Sequence, residues 1–382
     1  MEVRYSNRLN RLPTYLFAKL EQLKLEKKKQ GVDIISLSIG DPDMPTIPVV
    51  IDELVSEARK PENHQYPSSQ GEGFFREGVA HWYKNRFGVE VDAEKEVINL
   101  IGGKEGIANL ARAYVDPGDK VLVPDPAYPV YKNGATILCD GIPVDMPLRE
   151  ENGFLPDLNA IPEGEYRMMY INYPNNPTGA VASKKFLEEL VEFIEKNNII
   201  LCYDNAYSEF SFDDYNAPSI LEFTRNAIEI NSCSKMFCMT GHRVGFAAGD
   251  EKIVAGLKKV KPQLDSGCPM YIQKAAVKGL DLYTSRARPK EVEEIMKEYE
   301  RRRDVLVAGL NKLGIPAKRQ KATFYLWVNV GGNSMEFAMK WLEKGVIVTP
   351  GSGFGENGEG FVRFALTQSV ERIQEALERM KE

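Results

Sequence analysis

The sequence predicts an α/β fold: a mostly parallel sheet covered by helices on both faces, joined to a smaller α+β unit. Three observations predict it. Short continuous apolar runs alternate with helix-period segments through the middle of the chain, which is the pattern of strands buried on both faces. No internal repeat or low-complexity segment breaks that alternation. The last hundred residues differ, with a long charged helix followed by strands and helices in close succession.

Taken in order, the chain opens with one helical segment, Tyr15 to Lys29, and a short apolar run, Ile34 to Ile39. These are too few residues to form their own core and are expected to pack on another unit. Val97 to Ile101 reads as a strand leading into a helix over Glu105 to Tyr114. Lys120 to Val123 and Arg167 to Ile171 read as further strands. Lys184 to Asn197 has helical period and precedes the β-rich run Ile199 to Tyr203. Ala227 to Asn231 and Val244 to Ala248 extend the set. The C-terminal unit holds a helix over Lys290 to Leu313, a strand over Tyr325 to Val330, and a helix near Met335 to Lys344. Short strands near Ile347 and Val362 and a last helix from Glu371 complete it.

Composition excludes several classes. The 382 residues suffice for two domains. A net charge of −6 with no dense basic run argues against nucleic-acid binding. No apolar stretch approaches the roughly 20 residues that span a bilayer. Met1 to Arg11 carries three arginines but no apolar segment behind them, so no signal peptide is expected, and a cytoplasmic enzyme is. Five scattered cysteines suit a reducing compartment rather than a disulfide framework. The three histidines, His64, His81 and His242, lack metal-ligand spacing, so no metal site is expected.

In an open parallel sheet, ligands bind beyond the carboxyl ends of the strands. Four polar groups follow predicted strands. The string Ile101-Gly102-Gly103-Lys104-Glu105-Gly106 leaves a strand and opens a helix, the outline of a phosphate cradle, although a plain tight turn reads the same way. The string Asn172-Tyr173-Pro174-Asn175-Asn176-Pro177-Thr178-Gly179 offers side-chain amide donors on a proline-stiffened turn. Asp204 ends a strand, with Tyr207 three residues on. Its carboxylate suits a cationic ring nitrogen, or it caps the next helix. Ser232-Cys233-Ser234-Lys235 supplies a lysine behind a buried strand, where desolvation favours the neutral, nucleophilic amine. Arg243 follows, suited to gripping a phosphate with two N–H groups. A lone lysine is usually surface. A cradle, amide donors, a carboxylate and an amine nucleophile together meet the needs of pyridoxal 5'-phosphate.

These strings resemble, in order and spacing, the signatures of the fold-type-I aminotransferases of the aspartate aminotransferase superfamily. Asn176-Pro177-Thr178-Gly179, Asp204-x-x-Tyr207, Ser232-x-Ser234-Lys235 with Arg243, and Phe361-Val362-Arg363-Phe364 carry the resemblance over nearly the whole chain. It implies a seven-stranded, mostly parallel sheet in a large cofactor-binding domain, residues 46–280. It also implies a small domain made of residues 1–45 and 281–382. Lys235 would be the Schiff-base lysine and the base that moves a proton between Cα and the cofactor. Asp204 would pair with the pyridinium nitrogen, Asn176 and Tyr207 would bond the ring oxygen, and Tyr128 would stack on the ring. Gly103, Lys104, Ser232, Ser234 and Arg243 would hold the phosphate. Tyr66 would reach the phosphate of a neighbouring subunit, making the enzyme a homodimer with shared sites. Arg363 would fork onto the substrate α-carboxylate, with the Gly40 backbone beside it.

Within the superfamily, Leu12 to Phe17, Gly40 to Thr46 and Glu151 to Leu158 resemble the LL-diaminopimelate aminotransferases, which exchange an amino group with 2-oxoglutarate on the way to lysine. That likeness implies that Tyr15 touches substrate. Three departures lie near the expected distal pocket. Pro67 to Gly71 lacks the glutamate those enzymes commonly carry, His242 replaces an apolar residue, and Asp265 to Met270 is unusual. Aspartate, alanine or aromatic amino acids, or a β-lyase reaction, therefore stay open beside diaminopimelate. A binding protein without catalysis on the same scaffold is opposed by the intact Lys235, Asp204 and Arg363. Gly351 to Gly355 lacks nucleotide-loop spacing and reads as a turn near the pocket mouth. Cys233 and Cys238 read as buried thiols, and Lys24 to Gln30 as a solvated helix face.

Overall fold

A computed structural model describes residues 1, 3–13 and 16–381, with residues 16–21 described by their backbone only. The first strand, β1 (Ile35–Ser36), stands apart from the central sheet. Seven strands follow: β2 (Val97–Leu100), β3 (Lys120–Asp125), β4 (Ile142–Pro147), β5 (Met168–Asn172), β6 (Ile200–Asp204), β7 (Ala227–Ser232) and β8 (Gly245–Gly249). They form one sheet in the order β2-β8-β7-β6-β5-β3-β4. Every pairing from β7 to β4 is parallel, and β8 runs antiparallel between β2 and β7.

The inner strands are apolar throughout because both faces are covered. Met168, Tyr170, Val121, Cys202, Ile228 and Ile230 point into one buried cluster. Met169, Ile171, Leu122, Leu201, Tyr203 and Ala227 point into the other. With both faces dry, alternation has no polar partner and the runs read as continuous. β4 escaped the sequence reading for the opposite reason. It is an edge strand with Pro143 and Pro147 in it and Ile142 largely exposed, so its pattern is neither apolar nor alternating.

The helices start where capping chemistry allows. Ser183 accepts from the Phe186 amide ahead of Lys184–Lys196, and Asp250 accepts from Lys252 and Ile253 ahead of Glu251–Val260. The helix over Gly103–Tyr114 begins two residues before the expected Glu105, so the glycine string is itself the first helical turn. Helices Pro48–Ala58, Gly73–Phe87 and Met270–Leu280, which the sequence reading left unplaced, add to the covering of the sheet.

The C-terminal region holds the helix Lys290–Lys312, then β9 (Tyr325–Asn329), the helix Ser334–Glu343, β10 (Val346–Ile347), β11 (Thr349–Pro350), β12 (Phe361–Ala365) and the helix Val370–Arg379. β11, β12 and β9 form an antiparallel sheet. β1 pairs in parallel with β10, which ties the N-terminal segment to this region. Among the described residues no helix is long and apolar enough to cross a membrane.

Candidate active site

The carboxyl ends of β5, β6 and β7 open onto a cavity of about 300 Å³. Several of its polar walls come from a strand end or the turn after it. β6 ends in Asp204 and β7 in Ser232, and a four-residue helix, Cys233–Met236, then lifts Ser234 and Lys235 to the cavity. Asn176 arrives on the turn after β5. Its amide donates to Asn172 Oδ1 at 2.8 Å, while Asn175 Oδ1 accepts from the Thr178 amide at 3.0 Å and hydroxyl at 2.7 Å. That internal bonding makes the proline-rich turn rigid.

Lys235 reaches across the cavity to donate to the Gly40 carbonyl at 2.8 Å. Desolvation, with the nearby Arg363 and Arg243 adding to it against the opposing pull of Asp41, lowers its pKa to about 8. About a tenth of the amine is therefore neutral at pH 7, far more than for an exposed lysine. Asp204 is fully buried. It accepts from the Tyr131 hydroxyl at 2.6 Å and from the Ala206 amide at 3.1 Å, and burial pushes its carboxyl up. Tyr207 is buried beside it, its hydroxyl 3.3 Å from that of Tyr325.

One end of the cavity is built for an anion. Gly103 and Lys104 form the first turn of their helix, whose N-terminus presents unpaired N–H groups. Ser232, Ser234 and Arg243 stand opposite. Arg243 Nη1 donates to Ser234 Oγ at 3.3 Å and to the Thr240 carbonyl at 2.9 Å. Arg243 adopts a left-handed backbone, φ 55°, which a non-glycine residue rarely takes without a reason imposed by its surroundings. Gly102 is required beneath it, because a Cβ there would collide with the guanidinium. Tyr128 flanks this end, with Lys104 Nζ 5.9 Å from its ring centre.

At the other end Arg363 is buried and held flat. Nη1 donates to Asn176 Oδ1 and Nη2 to the Ser38 carbonyl, each at 2.8 Å. Its plane lies between two rings, 4.1 Å from the centre of Tyr325 and 4.6 Å from that of Phe354. Gly40 is needed nearby because a Cβ would collide with the Tyr325 hydroxyl.

The cavity thus collects Gly40, Gly103, Lys104, Tyr128, Asn176 and Asp204 with Tyr207, Ser232, Ser234, Lys235, Arg243 and Arg363. Tyr66 is not among its walls. It is 88% exposed on the turn after Pro61–His64. Tyr15 lies outside the described residues. Sequence reasoning missed Tyr131, Tyr325 and Phe354. Tyr131 follows Tyr128 by three residues, at the start of the helix Val130–Thr136, and was reachable from its closeness to that tyrosine. Tyr325 comes from a distant segment and carries no local signal; Phe354 was not singled out, although the turn that holds it was. The Gly351–Phe354 turn does lie at the cavity, as expected of it, and supplies Phe354. All five cysteines carry free thiols, and among the described residues no cluster of His, Cys, Asp and Glu could hold a metal ion.

Residues 32–380 match the family model for aminotransferase class I and II. The chain is 50% identical over 386 residues to the LL-diaminopimelate aminotransferase of Moorella thermoacetica, covering 98% of this chain and 97% of that protein. It is 47% identical to the enzyme of the same name from Aquifex aeolicus, with 99% and 98% covered. Among solved structures, substrate-bound BacF from Bacillus subtilis superposes with a TM-score of 0.94 at 34% identity, covering 100% of this chain and 98% of that one. A Thermus thermophilus aspartate aminotransferase mutant superposes at 0.92 and 29% identity, with 99% of each covered. The chain belongs to the class I and II aminotransferases.

Proposed function

We propose that this enzyme transfers an amino group between LL-2,6-diaminopimelate and 2-oxoglutarate in lysine biosynthesis, with pyridoxal 5'-phosphate as its cofactor. The observation that carries the reading is the identity of about half the residues, end to end, with enzymes of that name. Class I and II aminotransferases depend on this cofactor. The donor set fits it. A helix N-terminus with two serines and an arginine suits a phosphate, a buried carboxylate suits a protonated ring nitrogen, and a lysine with a lowered pKa suits an aldehyde. When bound, the cofactor supplies the aldehyde and an electron-accepting ring.

The protein's own contributions follow from the geometry. Lys235 Nζ, with a pKa of about 8, takes the proton released from the substrate α-carbon and returns it two atoms away, serving first as base and then as acid. Asp204, fixed through both oxygens in a dry site, is placed to accept a ring N–H. Asn176 and Tyr207 donate to the ring oxygen. Gly103, Lys104, Ser232, Ser234 and Arg243 hold the phosphate, and Tyr128 covers the ring. Arg363, held in orientation by Tyr325 and Phe354, presents two parallel N–H groups to the substrate α-carboxylate next to the Gly40 backbone.

Residues 46–280 form the cofactor domain, and residues 1–45 with 281–382 form the small domain. The working unit is a cytoplasmic homodimer. The exposure of Tyr66, whose motif resembles one that reaches a neighbouring subunit, supports that. A second reading, transfer from another amino acid, is favoured by one observation: Pro67 to Gly71 lacks the glutamate common in diaminopimelate enzymes.

Mixing the purified enzyme with LL-diaminopimelate should change its cofactor absorbance, and 2-oxoglutarate should restore it. Response to aspartate, alanine or an aromatic amino acid but not to diaminopimelate would establish the second reading. Release of pyruvate and ammonia without that cycle would mark a lyase.

A further inference from the structure

Lys261 is completely buried, in the short turn Lys261–Gln263 that follows the helix Glu251–Val260, and no part of the chemistry above uses it. Burying an ammonium group is costly unless it is fully paired. Lys261 Nζ donates to Glu105 Oε1 at 3.1 Å and to the two oxygens of Asp265 at 3.0 and 3.3 Å. Glu105 lies two residues beyond Gly103, in the first turn of the helix that ends the anion site. Its other oxygen accepts from the Ile101 amide at 2.9 Å. The Ile101 carbonyl in turn accepts from Arg243 Nη2 at 3.4 Å. The residue that precedes the glycine cradle is therefore held by its amide from the Lys261 side and by its carbonyl from the Arg243 side. On the far flank, Asp265 accepts from the Gly267 amide at 2.8 Å, and Gly267 packs so closely on the Ser68 backbone that it has no room for a Cβ.

We infer that Lys261 is a positioning residue for the cofactor phosphate. It is shared by Glu105 and Asp265 behind the cradle and offsets one of their two charges, and through Glu105 and Ile101 it fixes the backbone on which Gly103 and Arg243 meet the anion. A carboxylate at a helix N-terminus helps the helix but opposes an incoming anion. Lys261 lets Glu105 do the first without the second. The inference rests on the proposed placement of the phosphate at Gly103, Lys104, Ser232, Ser234 and Arg243.

The test uses full-length protein freed of cofactor and titrated with pyridoxal 5'-phosphate, with pyridoxal, and with inorganic phosphate. Lys261→Met should weaken binding of the two phosphate-bearing probes roughly tenfold. Pyridoxal, which lacks the phosphate, should keep its affinity. Adding Glu105→Gln to that variant should recover most of the loss. If Lys261→Met does not fold, Glu105→Gln alone decides the matter. Its oxygen still accepts from the Ile101 amide, its NH2 displaces the Lys261 and Asn109 donors from the other position, and Lys261 keeps Asp265 as its partner. A charge is removed, so phosphate-bearing probes should bind more tightly relative to pyridoxal. Equal losses for pyridoxal and its phosphate, or no change in either variant, would overturn the inference. Failure of the unaltered protein to bind pyridoxal 5'-phosphate would instead overturn the proposed cofactor site and is distinguishable on that ground.

Discussion

Asp204 and Glu229 are buried carboxylates on neighbouring strands of one sheet, and burial pushes both up. Their surroundings differ. Glu229 sits within β7 and is saturated. One oxygen accepts from Tyr83 and Asn231, the other from the Ser219 hydroxyl and the Ile220 amide, all at 2.8–3.0 Å. Asp204 sits at the carboxyl end of β6, lines the cavity, and accepts one protein hydrogen bond per oxygen from Tyr131 and Ala206. A carboxylate accepts about four. A buried acid with every lone pair engaged holds the fold together, whereas one with capacity turned toward a cavity is placed for a ligand. Several substitutions test that contrast, in descending size of effect.

Lys235→Ala should remove at least about a thousandfold of turnover, since it deletes both the nucleophile and the proton carrier. Steady-state kinetics with purified protein check it, and borohydride trapping of the unaltered enzyme should place the cofactor label on the Lys235 peptide. Arg363→Ala should raise KM for the amino acid by about two orders of magnitude, in line with losing a charge-assisted, two-pronged grip. Arg363→Lys should recover only a little of it, because an ammonium cannot reproduce the planar fork held between Tyr325 and Phe354.

The direct comparison is Asp204→Asn against Glu229→Gln. At position 204 the new NH2 group can face Tyr131, whose hydroxyl turns from donor to acceptor, and a buried charge disappears. Stability should hold or rise, while turnover falls about a hundredfold. At position 229 no such accommodation exists, because the Ile220 amide on one oxygen and the Asn231 NH2 on the other are both donors. Unfolding free energy should fall by about 2 kcal/mol, the cost of an unsatisfied buried donor. Turnover per folded molecule should stay unchanged. Chemical denaturation and kinetics on the two variants give the four values. A stable Glu229→Gln or an active Asp204→Asn would break the contrast.

The same contrast explains what was legible in the sequence. The cavity residues that stand on strand ends, Asp204, Ser232 and Lys235, were readable because a polar residue after an apolar run is a local signal. The turn carrying Asn176 was readable because its string is unusual. Tyr325 shapes the Arg363 site from elsewhere in the chain, and nothing near it in sequence points to it. Phe354 stands in the Gly351 to Gly355 turn expected at the pocket mouth, but its packing on Arg363 leaves no local signal. Glu229 and Lys261 were invisible for a related reason. Their meaning lies in partners such as Tyr83 and Glu105, brought close only by the fold. The substrate's distal end is the least legible. The segments flagged for it, Pro67 to Gly71 and Asp265 to Met270, meet where Gly267 packs on Ser68, and Tyr66 beside them faces outward.

The smallest effect concerns stability at the site itself. Lys235 is an amine whose pKa burial lowers from 10.5 to about 8, so holding its proton in the folded, cofactor-free protein costs free energy. The sign follows directly. Below pH 8 both folded and unfolded chains carry the proton and the whole penalty is present. Between pH 8 and 10.5 the folded chain releases its proton first, and the penalty fades. The shift corresponds to about 3 kcal/mol, from which the lost hydrogen bond to Gly40 removes about 1 kcal/mol. Cofactor-free Lys235→Met should therefore be about 2 kcal/mol more stable than the unaltered protein at pH 7. Its advantage should shrink steadily as the pH rises to 10.5. Urea denaturation at a series of pH values measures this. An advantage that is absent at pH 7, or that grows with pH, would mean that Lys235 is not held at a cost and that its lowered pKa does not prepare it for chemistry.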